Sequence, residues 1–187
     1  MKAIIVIDAQ VDFITGALRN EEAIKSLPTL HKVVEWAADN RYELIYTKDT
    51  HNKNSYLASQ EGKNLPVPHC IYNTPGWYIV PEAMPNYYYE HWRFYRKAQF
   101  GYTNWREAHL EDFDELIFVG YCSEICVISN ILIIKSLYPE IPITFISDAS
   151  AGVTPESHAA ACTVMKSCQV NVKTWKEYYG MTLAKEV

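Results

Sequence analysis

Five short, nearly continuous apolar runs constrain this chain more than any other feature. "AIIVID" (3–8), "ELIYTK" (43–48), "LIFVG" (116–120), "ITFISD" (143–148) and "VNV" (170–172) are rich in β-branched residues. Runs of this length without strict alternation fit strands covered on both faces. Between them lie helical patterns around 22–39, 124–137 and 155–167, with a terminal one near 175–185. The third has clear start signals: Thr154 as N-cap and Pro155 at the first helical position, where the missing N–H costs nothing. Strand alternating with helix predicts an α/β fold, a mostly parallel open sheet with helices on both faces. A further strand is expected through "YYYEHWRFYRK" (87–97). At 187 residues, 49% hydrophobic and 21% charged, the chain suits one domain, 1–187.

The segment from 49 to 86 breaks this rhythm. It is rich in Asn, Pro, Gly and Tyr, and loops of that length inside a compact domain are usually functional. In open α/β sheets ligands bind beyond the carboxyl ends of the strands. Asp8, Asp49, His51, Lys97, the cysteines after "LIFVG" and Asp148 are all expected at that edge. Acids, a lysine, a histidine and a thiol would then converge.

Bulk properties narrow the partners. Net charge is −5 with no basic run, which argues against nucleic acid or an anionic membrane as the main partner. No segment approaches the ~18 apolar residues of a membrane span. The N-terminus, "MKAIIVIDAQ", lacks the apolar core of a signal peptide and reads as the first strand of a cytoplasmic protein. The five cysteines do not form a disulfide framework. Cys162 and Cys168 are expected as small buried apolar residues of a helix, whereas Cys70, in a Pro-rich loop, has no evident place. The 14 Tyr and 5 Trp are an aromatic surplus that suggests a homo-oligomeric interface.

The stretch "GYCSEICVISN" (120–130) places two cysteines where a strand turns into a helix. With Ser123 as N-cap, Cys126 becomes the third helical residue, facing unpaired backbone N–H groups and the positive helix end. That setting, and a neighbouring lysine, favour a thiolate. The same N–H groups could hold a developing oxyanion. Cys122 lies before the turn, and C-x-x-x-C is not the redox spacing C-x-x-C. Spacing alone leaves Cys126 open between nucleophile and buried structural thiol.

"IIVIDAQVDF", "RKAQFG" and "GYCSEICVISN" resemble, in order, the signature regions of the isochorismatase-like cysteine hydrolases, which include nicotinamidases. "SDASAGVTPESHAAA" is similar to a fourth block. The resemblance implies a three-layer αβα sandwich on a six-stranded, mostly parallel sheet and a Cys–Asp–Lys constellation, matched by Cys126, Asp8 and Lys97. It also implies a cis peptide at Tyr121–Cys122 and an oxyanion site formed by the backbone N–H groups of Cys122 and Cys126. Asp49, His51 and His69 match the metal ligands of nicotinamidases, with Glu61 the natural fourth. Such a set suits zinc, or manganese or iron. The implied substrate is a small amide, nicotinamide foremost, walled by Phe13 with Phe100 and Tyr121. Alternatives are another small amide or carbamoyl compound, isochorismate, or a catalytically silent binding module. The sequence departs from the family pattern at Tyr121 and Cys122, larger than is common there, and at Phe100, where a tyrosine is frequent. Trp77 and Tyr87–Tyr89 have no counterpart.

Overall fold

A computed structural model describes residues 1–183. Six parallel strands form one sheet in the order β3-β2-β1-β4-β5-β6: β1 (Lys2–Ile7), β2 (Glu43–Asp49), β3 (Trp92–Lys97), β4 (Glu115–Tyr121), β5 (Ile143–Ala151) and β6 (Asn171–Lys173). The helices are α1 (Val11–Ile14), α2 (Glu21–Asp39), α3 (Gln60–Asn64), α4 (Ile128–Leu137), α5 (Pro155–Ser167) and α6 (Trp175–Leu183). The terminal helical pattern expected to 185 extends partly outside the described residues.

The continuous apolar runs are explained by burial on both faces. Ile4 and Val6 of β1 join Leu44, Tyr46, Ile117 and Val119 under α2. Ala3, Ile5 and Ile7 join Leu116, Phe118 and Phe145 under Ile131 and Ile134 of α4 and Met165 of α5. Successive side chains of one strand thus feed two separate cores, making three layers.

The start of α5 follows its sequence signals: Thr154 accepts from the Ser157 N–H, the Ser157 hydroxyl returns a bond to the Thr154 backbone, and Pro155 follows. Cys162 and Cys168 correct the expectation of burial, since both are only partly buried. Cys162 packs at the edge of the second core and Cys168 is the C-cap of α5. The strand expected over 87–97 begins only at Trp92. Tyr89 instead turns inward and donates from its hydroxyl to the Tyr42 carbonyl, while Tyr87 and Tyr88 are exposed. Within 49–86 lie α3 and three short 3₁₀ turns rather than a structureless loop.

Strand order reverses between β1 and β4: the chain runs outward from β1 through β2 to β3, then returns to the other side for β4, β5 and β6. A crevice opens at such a reversal, beyond the strands' carboxyl ends. Gly120, the penultimate residue of β4, has φ +117°, and a Cβ there would lie 2.1 Å from the Ile7 carbonyl oxygen. Only glycine lets β4 approach β1 so closely at the crevice.

Candidate active site

Asp8, the first residue after β1, is fully buried and adopts φ 47°. Its Oδ1 accepts from the Thr47 hydroxyl at 2.7 Å, and its N–H donates to the same oxygen of Thr47 at 3.2 Å. Thr47 therefore fixes the carboxyl from both ends. Lys97, at the end of β3, reaches across β2 to place Nζ 2.5 Å from Asp8 Oδ2 and 3.5 Å from Cys126 Sγ. Both charged side chains are essentially inaccessible, and the thiol is 6% exposed. Acid, lysine and thiol meet as expected.

The turn carrying Cys126 differs from the expected geometry. Cys122, not Ser123, is the N-cap, and Ser123–Val127 form one π turn before α4. The N–H groups of Ile125 and Val127, on either side of Cys126, both bond to the Cys122 carbonyl. The Tyr121–Cys122 peptide is cis. Below the turn, Asn130 Nδ2 donates to the Cys126 carbonyl at 2.7 Å, holding that backbone from the α4 side.

The thiol is not held as a thiolate at rest. Burial pushes Cys126 well above an ordinary thiol, and the Lys97 ammonium only partly offsets this. Burial likewise raises Asp8, against the pull of Lys97 and with a push from Asp49. Burial would lower Lys97, but Asp8, Cys126 and Asp49 outweigh it and keep the ammonium charged. The resting arrangement is thus an Asp8–Lys97 ion pair beside a protonated thiol. A carboxylate with a raised proton affinity, adjacent to a thiol, is a proton acceptor in waiting.

A second cluster lies beside the first. Asp49, His51, Glu61 and His69 present one ligand atom each, all within 4.8 Å of one another. Asp49 Oδ2 is 2.9 Å from His51 Nε2 and 3.5 Å from His69 Nε2; Glu61 Oε1 is 3.7 and 3.5 Å from the same two nitrogens. His69 Nδ1 is engaged at 2.9 Å by the Val67 carbonyl, which turns Nε2 inward. Burial opposes charge on His69, but hydrogen bonds to Asp49 and Glu61 hold it up at about 10. Two carboxylates concentrated on two imidazoles, all largely buried, form a donor set that fits a divalent cation. Asp49 also faces the first cluster, with Oδ1 3.7 Å from Lys97 Nζ. One carboxylate therefore spans both centres, a consequence of the Asp49–Lys97 register of β2 and β3.

Both clusters open into a cleft of about 1460 Å³. Phe13 stands edge-on to His69, with ring centroids 5.5 Å apart, and lines the cleft with Phe100, Tyr56 and Ile125. Tyr121 does not. It continues the Ile117–Val119 face of β4, is fully buried under α2, and its hydroxyl meets Ser26 Oγ at 2.9 Å. The expectation that Tyr121 faces substrate is thereby corrected. Tyr121→Phe should cost roughly 1 kcal/mol of stability through the lost bonds of its hydroxyl, since Ser26 keeps its own bond to the Ala23 carbonyl, and leave hydrolysis unchanged. Urea unfolding alongside a rate assay measures both.

Asp148 is also absent from the site. The β4–β5 register shifts between Phe118 and Gly120, and Asp148 lies in the resulting bulge, exposed, accepting from the Trp175 N–H at 2.6 Å. It caps α6 instead. Sequence reasoning missed Thr47 and Gln10. Gln10 is fully buried and bonds the Asp49 backbone twice and the Trp77 carbonyl once, tying the segment that carries the Asp49–His51–Glu61–His69 cluster to β1. A glutamine two residues beyond a strand-end acid was the available signal. Trp77, unassigned in the sequence, covers Lys48, whose Nζ lies 3.0 Å from the ring centroid.

The isochorismatase domain model matches residues 2–177. The chain belongs to the isochorismatase family. No curated protein matches it by sequence. Among solved structures, this isochorismatase-family chain is similar to a nicotinamidase/pyrazinamidase from Bacillus subtilis (24% identity, TM-score 0.81, covering 92% of this chain and 98% of that one). It is similar to a pyrazinamidase from Pyrococcus horikoshii solved in complex with zinc (23%, 0.77, 93% and 99%). An N-carbamoylsarcosine amidase from Thermoplasma acidophilum also overlays it (20%, 0.73, 92% and 95%). At these identities the overlap establishes the shared isochorismatase-like hydrolase fold. No helix among the described residues is long and apolar enough to cross a membrane.

Proposed function

We propose that this chain is a cysteine-dependent amidohydrolase that converts nicotinamide and water to nicotinate and ammonia. The observation that carries the reading is the placement of Lys97 Nζ within reach of both the Asp8 carboxylate and the Cys126 thiol, with Cys126 lining a cleft shared with the Asp49–His51–Glu61–His69 quartet.

Asp8 takes the Cys126 proton as sulfur attacks the carboxamide carbon, and Lys97 holds the resulting negative charge. The N–H groups of Cys122 and Cys126 receive the oxyanion. Asp8 returns the proton to the departing ammonia, leaving an acyl thioester on Cys126. Asp8 then accepts a proton from water as it attacks the thioester, and Cys126 leaves as thiol. Asp49, His51, Glu61 and His69 would hold one divalent ion, whose chemistry here is to bind and orient a pyridine nitrogen. Phe13 and Phe100 wall the ring.

The charge of the cleft favours this substrate over a carbamoyl amino acid. Arg19 is the one Lys or Arg side chain lining the cleft among the described residues, and it is paired with Glu21 at 2.8 Å, while His69 is held between Asp49 and Glu61. A carboxylate substrate meets no free side-chain cation there. Ammonia release across a panel of nicotinamide, pyrazinamide, benzamide and N-carbamoylsarcosine tests the reading. Nicotinamide and pyrazinamide should be turned over fastest, and elemental analysis should find about one divalent ion per chain. Chelation or His51→Ala should raise KM for nicotinamide by roughly ten-fold or more, while iodoacetamide still labels Cys126. Unchanged nicotinamide turnover in His51→Ala, or preference for the carbamoyl compound, sinks it.

A further inference from the structure

One hydrogen-bonded line near the nucleophile has no part in the chemistry above. Ser123 opens the π turn between Cys122 and Cys126 and is fully buried. Its hydroxyl lies 2.8 Å from Nδ1 of His158, on the first full turn of α5. The far nitrogen of His158, Nε2, is 3.6 Å from Cys162 Sγ one turn further along α5. Both ring nitrogens are therefore engaged, and the imidazole cannot rotate without losing two partners. The next residue, Glu124, repeats the connection: its Oε1 accepts from the Val153 N–H at 2.8 Å and from the Ser157 hydroxyl at 2.7 Å. Two consecutive side chains of the π turn are thus stapled to the start of α5.

The consequence falls on backbone direction. A π turn is rare and appears mostly as a single turn, frequently at functional sites, so the bonds that hold its side chains bear on where its N–H groups point. Here the N–H groups of Cys122 and Cys126 bracket Ser123 and Glu124, whose side chains are tied to the start of α5, and of the two Ser123 is the fully buried one, next to Cys122. We propose that His158 is a positioning residue: through its hydrogen bond to Ser123 it sets the direction of the backbone N–H groups that receive the oxyanion. It touches no reacting atom. This rests on Cys126 being the nucleophile, and not on nicotinamide being the substrate.

The test separates oxyanion formation from thiol reactivity. p-Nitrophenyl acetate acylates a thiol through a tetrahedral oxyanion: the S–C bond forms, the Cys126 proton passes to Asp8, and p-nitrophenolate leaves. Iodoacetamide alkylates the same sulfur by displacement of iodide, with no carbonyl oxyanion to hold. Peptide mapping assigns each adduct to Cys126, and a Cys126→Ala control sets the background. His158→Ala should slow acylation roughly ten-fold, the scale of one misdirected donor or less, and leave alkylation within about two-fold.

Ser123→Ala should match it, and the double variant should be no slower than either single one, since both remove the same bond. His158→Asn, whose amide can occupy the place of Nδ1, should recover acylation to within about three-fold of the parent. Wild-type acylation rates in His158→Ala, a parallel fall in alkylation, additive losses or no recovery in His158→Asn each overturn the proposal. So does a parent enzyme alkylated at Cys126 but never acylated. If Cys126 of the parent takes neither reagent, the proposed function fails first and takes this inference with it; if only nicotinamide turnover is missing, the acylation ratios still decide.

Discussion

Cys126→Ala is expected to reduce amide hydrolysis by a factor on the order of 10⁴ or greater, with the fold unchanged. Cys122→Ala should retain most of the activity. Both cysteines are largely buried and only four residues apart, so the contrast comes from what each sulfur meets. Cys126 Sγ lies 3.5 Å from Lys97 Nζ. Burial and the nearby carboxylates of Glu124 and Asp8 push the Cys122 thiol up to about 12, and no lysine opposes them. Cys122 can contribute its N–H without its sulfur, and alanine keeps that N–H. Ammonia release, with circular dichroism and thermal melting of each variant, makes the measurement. Comparable losses in the two variants would mean a cysteine pair acting together, and the single-nucleophile assignment would be wrong.

What the sequence could and could not disclose follows from the range of the forces involved. Strand positions were legible because burial on both faces writes a continuous apolar run into the chain. Asp8 was legible because it ends such a run, whereas Lys97 ends the mixed, half-exposed strand "WRFYRK" and was legible through the resemblance of "RKAQFG" to a family motif. The inward turn of Tyr121 was in principle legible too: Ile117, Val119 and Tyr121 share one parity of β4, and that parity faces α2. Resemblance to family motifs pointed instead to its position close to Cys126. Asp148 failed for a different reason. Its place depends on a bulge set by pairing with β4, and nothing local marks "ITFISD" as a strand that continues to Ala151. The π turn was equally hidden, since an N-cap serine at 123 and a π turn from 123 leave the same residue pattern. Asp49 as a carboxylate common to both clusters needed the β2–β3 register, which is a tertiary fact.

The same register frames the last expectation, which concerns how Asp8 and Lys97 divide the work. Asp8→Asn should lower kcat by roughly 10²–10⁴-fold, at least as much as Lys97→Ala. In the proposed mechanism only the carboxylate accepts the thiol proton and returns it, whereas the ammonium stabilises charge and has Asp49 as a second partner at 3.7 Å. Asparagine keeps the volume and can still accept from the Thr47 hydroxyl, so a loss reports proton transfer rather than collapse of the loop. Lys97→Ala is the harsher change for the fold, because it leaves Asp8 buried without its cation; removing one partner of a buried pair typically costs about 3–5 kcal/mol.

The pH dependence adds a separate check. Burial raises Asp8 above the ordinary carboxylate value of about 3.9, and the working form is the ionised one. Activity of the parent enzyme should therefore fall as pH drops through that raised value, with its acid limb above the ordinary carboxylate range. Whatever activity Asp8→Asn retains should lack that limb, because the titrating group is gone, while Lys97→Met should keep a limb shifted to still higher pH by loss of the neighbouring positive charge. Initial rates across pH for the three proteins, corrected for unfolding at each pH, are the measurement. An unshifted acid limb in Asp8→Asn would assign the titration to another group and remove Asp8 from the role of base.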